Sequence, residues 1–177
     1  MNIYTEIESP VGPLLLVGEK DADGTLRLAS LSMAGQRYAP KIGDGWTADT
    51  EAFSDVSRQL QEYFAGTRTE FDLEYLDYLE YLERTATGSD FQRTVWAAVD
   101  AIPHGTTTTY GALAKQLGLP RDRVQAVGAA VGANPLLIVR PCHRVIGADG
   151  SMRGYAGGVE NKQWLLALEG AIAPLLV

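Results

Sequence analysis

The sequence predicts an α/β protein: a small N-terminal antiparallel sheet with a helix, then a mainly helical C-terminal part. Three observations predict it. Apolar-rich runs at 3–8, 14–18 and 26–31 are separated by Pro10-Val11-Gly12-Pro13 and by Asp23-Gly24, signals for tight strand connections. Beyond residue 50, apolar residues recur every three or four positions in short stretches closed by Gly or Pro. Charge divides as the pattern does: residues 1–90 hold 7 Lys/Arg and 17 Asp/Glu, residues 91–177 hold 8 and 5, a net of −10 against +3. Two domains follow, 1–88 and 89–177, and the second is the one suited to an anionic partner.

The elements can be justified in order. The three runs read as antiparallel strands. Residues 36–47 carry Pro40, Gly43 and Gly45 and read as irregular. Thr50 is placed to cap a helix reaching Phe64, with Phe53, Val56, Leu60 and Phe64 on one face and Gly66 as its stop. Residues 74–83 repeat an acidic residue, Tyr and Leu in triplets. A period of three drifts round a helix of 3.6 residues per turn, so this insertion reads as an acidic helical extension, either solvated or docking a partner. Ser89 or Asp90 caps a helix to about Ala101 with Val95, Ala98 and Val99 inward, and Pro103 and Gly105 stop it. Helices at 110–117 and 121–133, joined by Gly118 and Pro120, read as helix-turn-helix, and Asn134-Pro135 ends the second. The last helix, 160–169, carries Trp164, Leu165 and Leu168 on one face.

Composition excludes several classes. An apolar content of 46% and a mean hydropathy of −0.06 suit an ordinary globule, and no apolar stretch approaches the ~20 residues of a membrane span. The single cysteine cannot form an internal disulfide, and with no signal-type start a reducing, cytoplasmic location is expected. His104 and His143 are far apart with no second Cys, so neither metal nor cofactor is expected. The net charge of −7 argues against nucleic acid until the chain is split in two.

Chemistry concentrates at Pro141-Cys142-His143-Arg144-Val145-Ile146-Gly147, after the apolar run Leu136, Leu137, Ile138, Val139. A neighbouring base or cation raises the thiolate population of a cysteine. Taken alone, Cys142 reads as a small buried hydrophobe, the commoner case for an isolated cysteine. Its surroundings are Phe91-Gln92-Arg93-Thr94-Val95-Trp96, Ile102-Pro103-His104-Gly105, Thr109-Tyr110-Gly111-Ala112, Asn134-Pro135, Gly154-Tyr155-Ala156-Gly157-Gly158 and Lys162-Gln163-Trp164-Leu165 through Glu169. In this order and spacing the chain closely resembles the O6-alkylguanine-DNA alkyltransferases, strongly over about 91–169 and more weakly over 1–71, where Ser9-Pro10-Val11-Gly12 and Tyr63-Phe64-Ala65-Gly66 fit.

The resemblance implies an RNase H-like N-terminal domain and a winged helix-turn-helix in the second. It also implies single-turnover repair: O6-alkylguanine is flipped from duplex DNA and its alkyl group moves irreversibly to Cys142. A lesion-binding relative without chemistry is the alternative, against which the presence of Cys142 counts. The implied catalytic set is Cys142 as nucleophile, His143 as base, Glu169 holding the imidazole, Asn134 tying the helix-turn-helix to the active segment, and Tyr110 beside the base. Contacts to base or DNA are implied for Tyr110, Arg123, Gln125, Ala126, Gly128, Arg144, Tyr155, Ala156, Gly157 and Lys162. Docking would be in the minor groove, by a monomer, without a membrane. One departure is specific to this chain: Gln125 precedes Ala126-Val127-Gly128 where the family places an arginine that fills the gap of the flipped base. Either Gln125 is the wedge, or Arg123 reaches in from a shifted register.

Overall fold

The computed structural model describes residues 2–36, 39–76, 89–152 and 154–174. The chain divides into two compact units, Met1–Arg84 and Thr85–Val177. In the first, β1 (Ile3–Ile7), β2 (Leu14–Lys20), β3 (Leu26–Met33) and β4 (Thr47–Ala48) form one sheet in the order β3-β2-β1-β4. β1 and β3 both pair with β2 antiparallel, as expected. β4 was not expected: Thr47, the last residue of the stretch read as irregular, and Ala48 after it pair in parallel with β1. Leu14, Leu16, Leu28 and Leu31 have no exposed surface and share the core with Phe53, Val56 and Leu60.

Helix α1 (Ser54–Phe64) follows a 3₁₀ turn, Glu51–Phe53. Its start differs from the reading above. Thr50 makes no side-chain cap and instead lies 2.9 Å, oxygen to oxygen, from Thr5. Asp49 supplies the cap, its Oδ1 accepting from the Ala52 amide at 3.1 Å. The acidic repeat also departs from helix where it is described. Leu28 N–H donates to Glu74 O at 2.9 Å, and Leu76 N–H donates to Leu28 O at 3.0 Å, so 74–76 is extended against β3. The rest of the repeat, 77–83, lies outside the described residues.

The second unit contains α2 (Ser89–Asp100), α3 (Tyr110–Gln116), α4 (Val124–Gly132) and α5 (Val159–Leu168). Thr109 caps α3 through its hydroxyl, which accepts from Ala112 N–H at 3.0 Å. A 3₁₀ turn, Arg121–Arg123, leads into α4, so the second helix of the helix-turn-helix is shorter than its sequence pattern. β5 (Thr108–Thr109) and β6 (Val145–Ile146) pair in parallel, Thr108 with Val145 and Thr109 with Ile146. This pairing sets the start of α3 beside the motif that precedes β6. The buried face of α5 is Lys162, Leu165, Leu166 and Glu169, spaced three and four apart. Trp164 and Leu168 are only half-buried, so the face read from hydrophobicity was rotated. Two of its four inward residues carry charge, and an apolar pattern cannot register them.

Candidate active site

Cys142 opens a 3₁₀ turn, Cys142–Arg144, immediately before β6. The approach to it is bent twice. Val139 N–H donates to Leu137 O at 2.8 Å around Ile138, whose φ is +71°. This γ-turn is of the rare positive-φ hand, and a β-branched residue in it costs about 1–3 kcal/mol. Burial of Leu136, Leu137 and Ile138 holds it in place. Three residues later, Cys142 N–H donates to Arg140 O at 2.7 Å around Pro141, at φ −79° and ψ 58°, a γ-turn of the common hand.

Asn134 sits just beyond the end of α4 and closes the loop. Its Nδ2 donates to Arg140 O at 3.0 Å and Leu136 O at 3.3 Å, while Oδ1 accepts from Leu136 N–H at 3.0 Å. One amide side chain thus joins the end of the helix-turn-helix to the turn that presents the thiol. Its side chain also favours the ionised form of Cys142.

His143 and Glu169 are buried together, Nε2 and Oε2 2.7 Å apart. Glu169 Oε1 also accepts from Arg144 Nε at 2.7 Å, and Oε2 from Arg144 Nη2 at 3.0 Å. An oxygen pair accepting from a guanidinium fork acts as an acceptor toward histidine too, so Nε2 carries the hydrogen and donates. Burial pushes the His143 pKa down, outweighing the hydrogen bond and charge of Glu169, so the ring is neutral at pH 7. Nδ1 is then an unprotonated acceptor, and it is buried without a hydrogen-bond partner among the described residues. The neutral tautomer with one tethered nitrogen and one open nitrogen is that of a general base.

The structure places Arg144 behind His143, against Glu169. It is buried, forked onto Glu169, and its Nη1 donates to Ile102 O at 2.6 Å. A side chain so engaged holds Glu169. The cost of an unpaired buried guanidinium, several kcal/mol, explains why all three nitrogens are used.

Burial pushes the Cys142 thiol up, against the Asn134 side chain and the positive charges of Lys162 and Arg140. The resting group is therefore the thiol, and burial outweighs the neighbouring groups that favour the thiolate. Lys162 is itself buried, donates from Nζ to Val145 O at 2.6 Å, and has its pKa lowered by burial to about 8. Its ammonium lies 5.9 Å from the centroid of the Tyr110 ring. Burial, then the negative charge of a Cys142 thiolate, pushes the Tyr110 phenol up, which keeps it a donor. The Tyr110 ring lies against α4 at Gly128, where an added Cβ would meet it at 3.7 Å. Tyr155 meets the His143 ring edge-on, centroids 6.4 Å apart. Ala156 and Gly157 follow, half-buried, and Gly157 O accepts from Asn161 Nδ2 at 2.8 Å. Gly158 at φ +97° starts α5, a conformation that favours glycine.

The helix-turn-helix joins this cluster at Tyr110 and Gly128, and the start of α4 faces solvent. Arg123 and Gln125 are exposed, and Ala126 is half-buried. The Arg123 guanidinium lies 5.0 Å over the Phe91 ring. Residue reasoning missed Arg140, whose one signal was a cation ending an apolar run.

Comparison with known proteins agrees along the chain. The family description "6-O-methylguanine DNA methyltransferase, ribonuclease-like domain" matches residues 2–78, and "6-O-methylguanine DNA methyltransferase, DNA binding domain" matches 90–171. A methylated-DNA–protein-cysteine methyltransferase of Mycolicibacterium paratuberculosis is 46% identical over 171 residues, covering 97% of this chain and 94% of that one. One from Methanosarcina acetivorans is 41% identical over 168 residues, covering 95% and 98%. The crystal structure of Mycobacterium tuberculosis OGT in complex with DNA is similar at a TM-score of 0.79 and 43% identity, covering 96% and 93%.

Proposed function

The chain belongs to the 6-O-methylguanine DNA methyltransferase family, and from that premise we propose that it repairs DNA by a single irreversible transfer to its own Cys142. Its enzyme class is that of its relatives, methylated-DNA–protein-cysteine S-methyltransferase. The observation that carries the reading is the neutral His143, tethered to Glu169 through Nε2 and open at Nδ1, next in sequence to a buried thiol.

In the proposed reaction the Cys142 proton passes to His143 Nδ1, directly or through one water. The sulfur attacks the alkyl carbon in line, an S–C bond forms, and the C–O6 bond breaks with its electron pair on guanine. The phenol of Tyr110 donates a proton or hydrogen bond to the leaving guanine, and Lys162 keeps positive charge near the sulfur as it ionises. The product is a thioether that the site has no means to hydrolyse, so each molecule acts once.

Access to a base in duplex DNA requires extrusion, at a cost of a few kcal/mol and least for a weakly paired lesion. The exposed start of α4, with Arg123, Gln125, Ala126 and the small Gly128, is the proposed minor-groove face, where small surfaces and wedges are common and sequence readout is poor. Tyr155, Ala156 and Gly157 would wall the base. Arg123 already stacks on Phe91, which favours Gln125 as the residue filling the gap. A monomer suffices, since every proposed catalytic group lies in the second unit.

The test is intact mass after mixing with O6-methylguanine duplex. Transfer adds about 14 Da, one methylene, to a fragment containing Cys142. Lesion binding without added mass would identify a binder that does no chemistry.

A further inference from the structure

Arg140 leaves the apolar run that precedes the thiol and lays its side chain on α2. Its guanidinium carbon lies 5.0 Å from the centroid of the Trp96 ring, and Nε donates to Asp100 Oδ1 at 3.1 Å. Trp96 is itself fixed, its indole N–H donating to Ala130 O of α4 at 2.8 Å in a buried bond. The Arg140 carbonyl meanwhile accepts from both Cys142 N–H and Asn134 Nδ2. The side chain is 17% exposed, shielded enough for its charge to act on neighbours.

We propose that Arg140 is a positioning residue for Cys142: Trp96 and Asp100 clamp its side chain, and the clamp holds the carbonyl that fixes the nucleophile's amide. The inference rests on the alkyl-transfer reading of Cys142. The clamp connects three elements to one turn. α2 supplies Trp96 and Asp100, α4 supplies Ala130 behind the indole, and Asn134 bonds the same carbonyl from the end of α4. The guanidinium also opposes the upward push of burial on the thiol. The other polar groups facing or backing Cys142 are Lys162 from α5, Tyr110 from α3, Asn134, and His143 with Glu169 and Arg144 behind it. Arg140 is anchored by a stack on Trp96 and an ion pair with Asp100.

Two readouts separate this role from a merely structural one, both in the full chain. The first is the pH dependence of Cys142 modification by iodoacetamide. The second is the single-turnover rate with free O6-benzylguanine, followed by intact mass. Arg140→Gln should move the inflection of both profiles upward by on the order of half to one pH unit, as loss of a nearby positive charge requires. Arg140→Lys should restore the inflection while lowering the plateau rate severalfold, because lysine keeps the charge and loses the planar stack and fork. Asp100→Asn, on an exposed residue, loosens the clamp without removing the charge, and guards against an Arg140 variant that fails to fold. Its plateau should fall severalfold with no upward shift of the inflection. An unchanged inflection in folded Arg140→Gln, an Arg140→Lys shift as large as that of Arg140→Gln, or an unchanged plateau in Asp100→Asn overturns the proposal. A wild-type chain that gains no mass from O6-methylguanine duplex would sink the alkyl-transfer reading instead, and the iodoacetamide profiles would still decide the influence of Arg140 on the thiol.

Discussion

Two regions of the second unit are built on opposite principles. Around Cys142 the polar groups are buried and mutually bonded: Glu169 takes hydrogen bonds from His143 and Arg144, Arg144 reaches Ile102, and Lys162 reaches Val145. At the start of α4, Arg123 and Gln125 stand in solvent. Desolvation makes the first region sensitive to single atoms and to protonation. Water and counterions make the second tolerant of substitution and sensitive to salt. Chemistry and DNA grip should therefore fail separately.

The largest effect should come from the sulfur. Cys142→Ser should show no added mass with any O6-alkylguanine substrate, because a serine hydroxyl is scarcely ionised at neutral pH, while lesion-duplex binding by gel shift persists. Methyl removal by that variant would break the mechanism.

Next is Glu169→Gln. Loss of the tether should slow single-turnover transfer on the order of 100-fold, on duplex and free O6-benzylguanine alike. Arg144 would lose half of its bidentate partner inside the protein, so stability in urea should fall by about 3 kcal/mol. Full activity would remove Glu169 from the mechanism, and a loss on duplex alone would erase the separation of the two regions. A double variant with His143→Ala should be far from additive.

The exposed region predicts smaller, substrate-dependent changes. At one fixed salt concentration Gln125→Arg should tighten duplex binding about threefold to tenfold, the gain should shrink as salt rises, and the free-base rate should stay put. If Arg123 is the wedge after all, Arg123→Ala will damage duplex repair and Gln125→Ala will not.

The smallest effect is on pH and stability. With the folded pKa of Lys162 near 8 and its ordinary value at 10.5, the unfolded chain binds more protons between those limits. The contribution of Lys162 to stability therefore rises with pH across that window and is at its lowest below it. Urea midpoints of Cys142→Ser with and without Lys162→Met, measured from pH 7 to 10, should differ in slope accordingly. Equal slopes would place Lys162 in a more hydrated setting than its contacts indicate.

The chemistry was more legible in the sequence than the packing that supports it. Cys142 and His143 stood out as neighbours in one string, and the sheet and helix-turn-helix followed from periodicity and turn residues. Glu169 was found only by resemblance, because a carboxylate near a helix end reads as solvated. The fork of Arg144 onto Glu169 was not legible either, because an arginine in a DNA-directed motif reads as a phosphate contact and its buried partners lie 25 and 42 residues away in sequence. The buried face of α5 hid behind Lys162 and Glu169. β4 is two residues long and leaves no pattern, and Glu74 to Leu76 took a bridge with Leu28 over helical repeat character.

The turn at Ile138 makes the nucleophile conditional on the folding of its unit. A strained γ-turn held by the burial of three apolar side chains has no stability of its own, so it forms after the core closes and opens before the core is lost. Amide exchange at Val139 and Cys142 should accordingly run ahead of exchange in the middle of α2. A fluctuation too small to alter the helices would already carry the sulfur away from His143. Competence is thus checked by conformation before it is used.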